Sequence, residues 1–95
     1  MENLGYLSSY VLNKLPCEDL FNSIHSIFEK SNQGDKLIET VKTYIDEDQE
    51  VSRTAEVLGI HRNTIQKRFE AIKQLSGLDP TKFKDLMLLY MAFSR

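Results

Sequence analysis

The stretch VSRTAEVLGIHRNTIQKRFEAI, Val51 to Ile72, decides the reading of this chain. Two apolar patterns of helical period meet here at a glycine. Ala55 and Leu58 recur three apart in the first, and Ile65, Phe69 and Ile72 recur three and four apart in the second. Gly59 separates them and can adopt the left-handed conformation that ends a helix. Ile60 follows as an apolar plug for the turn. Two short helices joined so tightly form the sequence pattern of a helix-turn-helix. The small Ala55 allows the helices to approach closely. With Ile65, Phe69, Ile72 and Leu75 facing inward, periodicity turns Asn63, Lys67, Glu70 and Gln74 outward. It also puts Arg62 and Gln66 on one flank and Thr64 and Arg68 on the other.

Charge gathers at the same place. The whole chain of 95 residues is slightly acidic, with net charge −2, yet the sign is unevenly distributed. Residues 46–50, DEDQE, carry four acids. Residues 51–76 carry five cations against two acids, a local charge of +3. Local rather than total charge governs docking on a polyanion.

Outward from this stretch the chain reads as helical throughout. Leu4, Leu7, Tyr10, Val11 and Leu15 predict a helix near 4–14, closed by Pro16. Leu20, Phe21, Ile24, Ile27 and Phe28 form the stripe of a second, and Glu18 and Asp19 suit its positive end. SNQGD at 31–35 interrupts. Leu37, Ile38, Val41, Tyr44 and Ile45 mark a third. Ser52 is the expected N-cap of the fourth, with Val51 as a staple. His61 or Arg62 starts the fifth, and Gly77 ends it. Asp79 and Pro80 are expected to open the last, which carries Phe83, Leu86, Met87, Leu89, Tyr90, Met91 and Phe93. Apolar on more than one face, that helix suits a deep core position or a subunit contact. The expected fold is all-α: a small bundle of about six helices containing a helix-turn-helix. Residues 1–34 read as an N-terminal helical extension, a dimerisation or interdomain element. Residues 35–95 read as the DNA-binding domain.

Composition narrows the function. Hydrophobic content of 41% and charged content of 27% are those of a globular domain. No apolar run reaches membrane-spanning length, and Met1 is not followed by the basic and apolar segments of a signal peptide. Cys17 is the single cysteine, so no internal disulfide forms, and a small buried residue in a reducing cytoplasm is the plain expectation. His25, beside Phe21 and Phe28 at helical spacing, reads as an edge-of-core histidine. Neither a nucleophile triad, a phosphate-cradling glycine loop nor a metal-ligand cluster is legible. The expectation is a non-enzyme without cofactor or metal.

The residues that carry recognition are then the exposed start of the fifth helix: His61, Arg62, Asn63, Thr64, Gln66 and Lys67. Arg62 suits a bidentate contact to guanine, with a salt bridge to Glu56 or Glu70 as its competing use. Asn63 suits adenine or a helix cap. His61 suits a cap, a turn contact or DNA. Thr64 and Lys67 suit phosphates, which position without specifying. Ser52, Arg53 and Thr54 offer backbone contacts from the fourth helix. Arg68, beside the buried stripe, suits a structural pairing with an acid. The free amides at the helix start suit a phosphate as well.

SRTAEVLGIHRNTIQKRFEAIKQLSGLD also resembles the C-terminal helix-turn-helix domain of the PucR/CdaR family of bacterial transcriptional regulators. Thr54, Ala55, Glu56, Leu58, His61, Arg62, Asn63, Thr64, Arg68, Ile72, Leu75, Gly77, Leu78 and Asp79 fit the family's pattern. LIETVKTYID at 37–46 resembles its preceding helix, and LMLLYMAF at 86–93 its final one. A broader likeness to the Fis-type helix-turn-helix is present. The chain departs at Gln66 and Lys67, where the family often has arginine and tyrosine, which bears on the operator sequence. It departs again at DEDQE, which puts negative charge before the fourth helix and tunes non-specific affinity. The resemblance implies a cytoplasmic, dimeric, double-stranded-DNA-binding domain with no membrane contact. Sensory domains in that family lie upstream, so it also implies a C-terminal fragment or stand-alone remnant, with effector binding outside this segment. A helical protein–protein adaptor is the competing class. Apolar residues at 63, 66 and 67 would mark it, and the chain has none there.

Overall fold

The computed structural model describes residues 17–94. Five helices follow in order: α1 (Cys17–Glu29), α2 (Gly34–Asp46), α3 (Val51–Leu58), α4 (Arg62–Ser76) and α5 (Phe83–Phe93). The all-helical expectation holds. The helix expected near 4–14 and the side chain of Cys17 lie outside the described residues.

The apolar stripes read from the sequence converge on one core. Ile24, Phe28, Leu37, Val41, Ile65, Ile72, Leu78 and Leu89 are fully buried. Each such side chain contributes about 1.5–3 kcal/mol relative to exposure. α2 is the hub and packs against each of the other four helices. α1 lies chiefly along α5, and the Phe28 and Phe93 rings meet edge to face at 4.9 Å. α1 therefore shares its core with the helices of 35–95. Tyr44 of α2 meets Phe69 of α4 in a second edge-to-face pair at 4.9 Å. Burial pushes the Tyr44 phenol up, and the nearby Asp79 carboxylate adds to the effect.

The breaker at 31–35 has a specific cause. Gly34 is buried where α2 begins against the end of α1, and a Cβ there would overlap the backbone carbonyl of Phe28. Only glycine permits that approach.

Two local expectations are corrected. Ser52 is not a cap: α3 begins at Val51, Glu50 occupies the cap position, and no side chain caps it. The chain enters two residues early because Asp48 and Gln49 both take positive φ, 56° and 63°, reversing it sharply after α2. Asp79 does not cap α5 either, since Lys82 holds that position. Its carboxylate instead accepts the amide and hydroxyl of Thr81, at 2.9 and 2.7 Å, which orders the turn ahead of α5. Pro80 sits buried in that turn rather than in the helix. The apolar residues of α5 divide between two faces. It buries Leu86, Leu88, Leu89, Ala92 and Phe93, while Phe83, Met87 and Met91 are exposed. These three follow one another at four-residue spacing, so they form a single outward stripe.

Candidate nucleic-acid interface

The geometry of the interface begins at the turn. Gly59 has φ 69° and ψ 33°. Its amide donates to Glu56 O at 3.2 Å, and the Ile60 amide donates to Ala55 O at 3.0 Å. This pair of bonds is the Schellman arrangement, and it needs a left-handed residue at position 59. Ala55, 5% exposed, lets α3 lie close on α4, and Ile60 packs at the core's edge.

His61 then caps α4. Its backbone is extended, and its Nδ1 accepts the Asn63 amide at 3.1 Å. Its carbonyl accepts the Thr64 amide at 2.9 Å. Because Nδ1 accepts, the ring proton resides on Nε2, and the exposed imidazole offers a donor there. The cap settles two open readings. His61 rather than Asn63 is the capping residue, and the amides of Asn63 and Thr64 are already bonded. The helix start thus offers fewer free amides to a phosphate than its sequence suggests.

The side chains sort cleanly. His61, Arg62, Asn63, Gln66 and Lys67 are exposed together on the first two turns of α4, and Thr64 is half-buried beside them. Among the described residues neither Arg62 nor Lys67 pairs with a carboxylate, whereas Arg53 pairs with Glu47. The salt bridge considered for Arg62 with Glu56 or Glu70 is absent. Lys67 also borders an open cleft of about 430 Å³ with Glu70, Gln74, Ala71 and Leu75 of α4 and the start of α2.

On α3 the picture is mixed. Ser52 and Arg53 are exposed. Arg53 Nη2 lies 3.1 Å from Glu47 Oε1. Thr54 is a correction: it is fully buried, and its hydroxyl donates to Glu50 O at 2.7 Å. Its side chain faces the core because it precedes Ala55 on the inward edge of a helix only two turns long. It is removed from the contact set.

Arg68 is structural in an unexpected way. Instead of an acid it meets a hydroxyl: its Nη1 donates to Thr40 Oγ1 at 3.0 Å. Thr40 is fully buried and donates its own proton to Lys36 O at 2.6 Å, so its oxygen is left to accept. This relay ties the flank of α4 to α2. Sequence reading missed Thr40, although it sits three residues after Leu37 and four before Tyr44, on the inward stripe.

The model of the family described as the PucR C-terminal helix-turn-helix domain matches residues 37–94. The purine catabolism regulatory protein of Bacillus subtilis is 37% identical over 71 residues, covering 70% of this chain and 13% of that protein. The carbohydrate diacid regulator of Escherichia coli is 49% identical over 39 residues, 41% of this chain and 10% of that protein. The transcriptional activator PmfR of Paenarthrobacter nicotinovorans is 37% identical over 57 residues, 60% of this chain and 12% of that protein. The chain thus spans only a small part of the length of the curated relatives it matches. No solved structure matches it significantly. A turn built on Gly59, a capped second helix and a family match over α2–α5 agree, and the chain belongs to the PucR C-terminal helix-turn-helix family, a class of DNA-binding domain from transcriptional regulators and not an enzyme.

Proposed function

We propose that this domain binds double-stranded DNA sequence-specifically, with α4 as the recognition helix in the major groove. The observation that carries this reading is the exposed, unpaired set Arg62, Asn63, Gln66 and Lys67 on the first two turns of α4. Arginine and asparagine are the side chains that read guanine and adenine by paired hydrogen bonds. Arg62 and Asn63 are the base-reading residues in this reading. Gln66 supplies an adaptable contact beside them, and His61 a donor from the cap. Thr64, Lys67, Ser52 and Arg53 hold phosphates and set the register.

A homodimer, acting on DNA in the cytoplasm, completes the proposal, because two such helices reach successive major grooves one helical turn apart. The outward stripe of Phe83, Met87 and Met91 on α5 supports a protein contact away from α4, and residues 1–34 would add to it. Since α1 is part of the core, deleting residues 1–34 would test folding rather than assembly.

Selection from a random pool of short duplexes, followed by anisotropy titration at two salt concentrations, tests the reading. Wild type should enrich a motif and weaken with salt. Arg62→Ala should relax one position of that motif, at a cost of about 1–3 kcal/mol. Light scattering of the complex reports one copy or two. An Arg62→Ala protein that selects the same motif with the same affinity removes Arg62 from the reading site.

A further inference from the structure

We propose that Glu47 is an internal competitor for the DNA-phosphate contact of Arg53, and so sets the strength of the sequence-independent part of binding. The inference rests on the DNA-binding reading above. Arg53 is the single cation of α3 and lies in its first turn. The first helix of a helix-turn-helix crosses the phosphate backbone, so this is where a cation does most for docking. Here that charge is already engaged: Nη2 sits 3.1 Å from Glu47 Oε1.

The two partners are not equivalent. The Glu47 side chain is 20% exposed and that of Arg53 is 64% exposed. Glu47 is also held by its backbone. Its amide caps α2 by donating to Thr43 O at 2.9 Å, and its carbonyl accepts the Glu50 amide at 3.1 Å. Between them Asp48 and Gln49 take left-handed conformations, with the Gln49 amide on Tyr44 O at 2.7 Å. This turn folds the end of α2 back against the first turn of α3. The carboxylate is the fixed member of the pair, and the guanidinium is the member free to leave.

An approaching phosphate must take Arg53 from Glu47 and tolerate the carboxylate left behind. An exposed pair is weak, so the exchange remains feasible but costs affinity. Removing the carboxylate charge should tighten binding to any duplex by about 1.5- to 5-fold. Because Arg53 reaches the same phosphate in both proteins, the slope of log affinity against log salt should change by less than the value of about 0.9 that one further neutralised phosphate would give. The selected motif should not change, because phosphate contacts carry no base information.

The test uses the full chain with two duplexes, one of random sequence and one carrying the selected motif. Wild type, Glu47→Gln, Arg53→Gln and the double variant are titrated across a salt series. Circular dichroism checks that each is folded, and Glu47→Ala serves as a second removal of the charge. The expected result is a gain for Glu47→Gln and Glu47→Ala on both duplexes, and no gain when Arg53 is already Gln. Equal affinity for Glu47→Gln and wild type overturns the proposal while leaving DNA binding intact. So does a gain of the same size in the Arg53→Gln background, which is a general charge effect. If no variant binds either duplex at low salt, the DNA-binding reading fails and this proposal falls with it.

Discussion

Replacing Thr40 with valine probes the polar link between α2 and α4 that Arg68 makes. Valine keeps the volume and shape of threonine, so no cavity opens at this fully buried position. The bond from Thr40 to Lys36 O is lost at small cost, since a helix carbonyl still has its backbone partner. The larger loss is the acceptor for Arg68 Nη1 at 3.0 Å. A hydrogen bond to a charged group contributes about 1.5–3 kcal/mol, reduced here because half-buried Arg68 recovers some water, giving about 1–2 kcal/mol. For a domain of this size that corresponds to a fall in Tm of roughly 5–15 °C. Urea unfolding followed by far-UV circular dichroism measures it, in a cycle with Arg68→Met and the double variant. The cycle should show a coupling of about 1 kcal/mol. Thr40→Ser, which keeps the hydroxyl, should retain the coupling. If Thr40→Val lies within about 0.3 kcal/mol of wild type, or if Arg68→Met costs the same with and without Thr40, the relay does not hold the two helices together.

Gly34→Ala should destabilise by about 3 kcal/mol or more, because the new Cβ meets the backbone carbonyl of Phe28 and neither can yield. A loss below about 1 kcal/mol in urea unfolding would show that α1 and α2 can part without harm. Asp79 links stability to acid. Burial pushes its carboxyl up, but the Thr81 hydroxyl and amide, helped by Lys73 and Lys82, more than offset this and hold it below the ordinary value. A depressed carboxylate stabilises the fold above its unfolded pKa of about 4 and loses that contribution as pH falls through its folded value. Asp79→Asn should therefore flatten the acid limb of a stability–pH curve, and an unchanged limb would assign it to other carboxylates.

Much of this domain is legible without coordinates because helical period is a local property. Ile24 and Phe28, Leu37 and Val41, and Ile65, Phe69 and Ile72 each mark an inward face by spacing alone, and all are buried. Gly59 was equally plain, since a left-handed residue between two apolar stripes has few other readings. The outward set on α4 followed from the same geometry, as its complement. Period does not say which neighbour covers a face. Phe83, Met87 and Met91 look like core residues in sequence, yet α1 and α2 cover only the other side of α5. Thr54 looks like a surface hydroxyl, yet close packing within the core leaves it buried. Caps and pairings were hidden for a related reason. Whether Ser52 or Glu50 precedes a helix depends on the turn before it, and here two residues other than glycine take positive φ. Arg68 finds Thr40, 28 residues away, and Arg53 finds Glu47, only because tertiary packing brings α2 against α4 and folds the chain back before α3. The sequence by itself determined where the helices lie, which faces are apolar and which short stretch would meet a polyanion in the proposed reading. Tertiary structure alone decided which charges are free to meet it, because a charge is spent or spared by whatever the fold sets beside it.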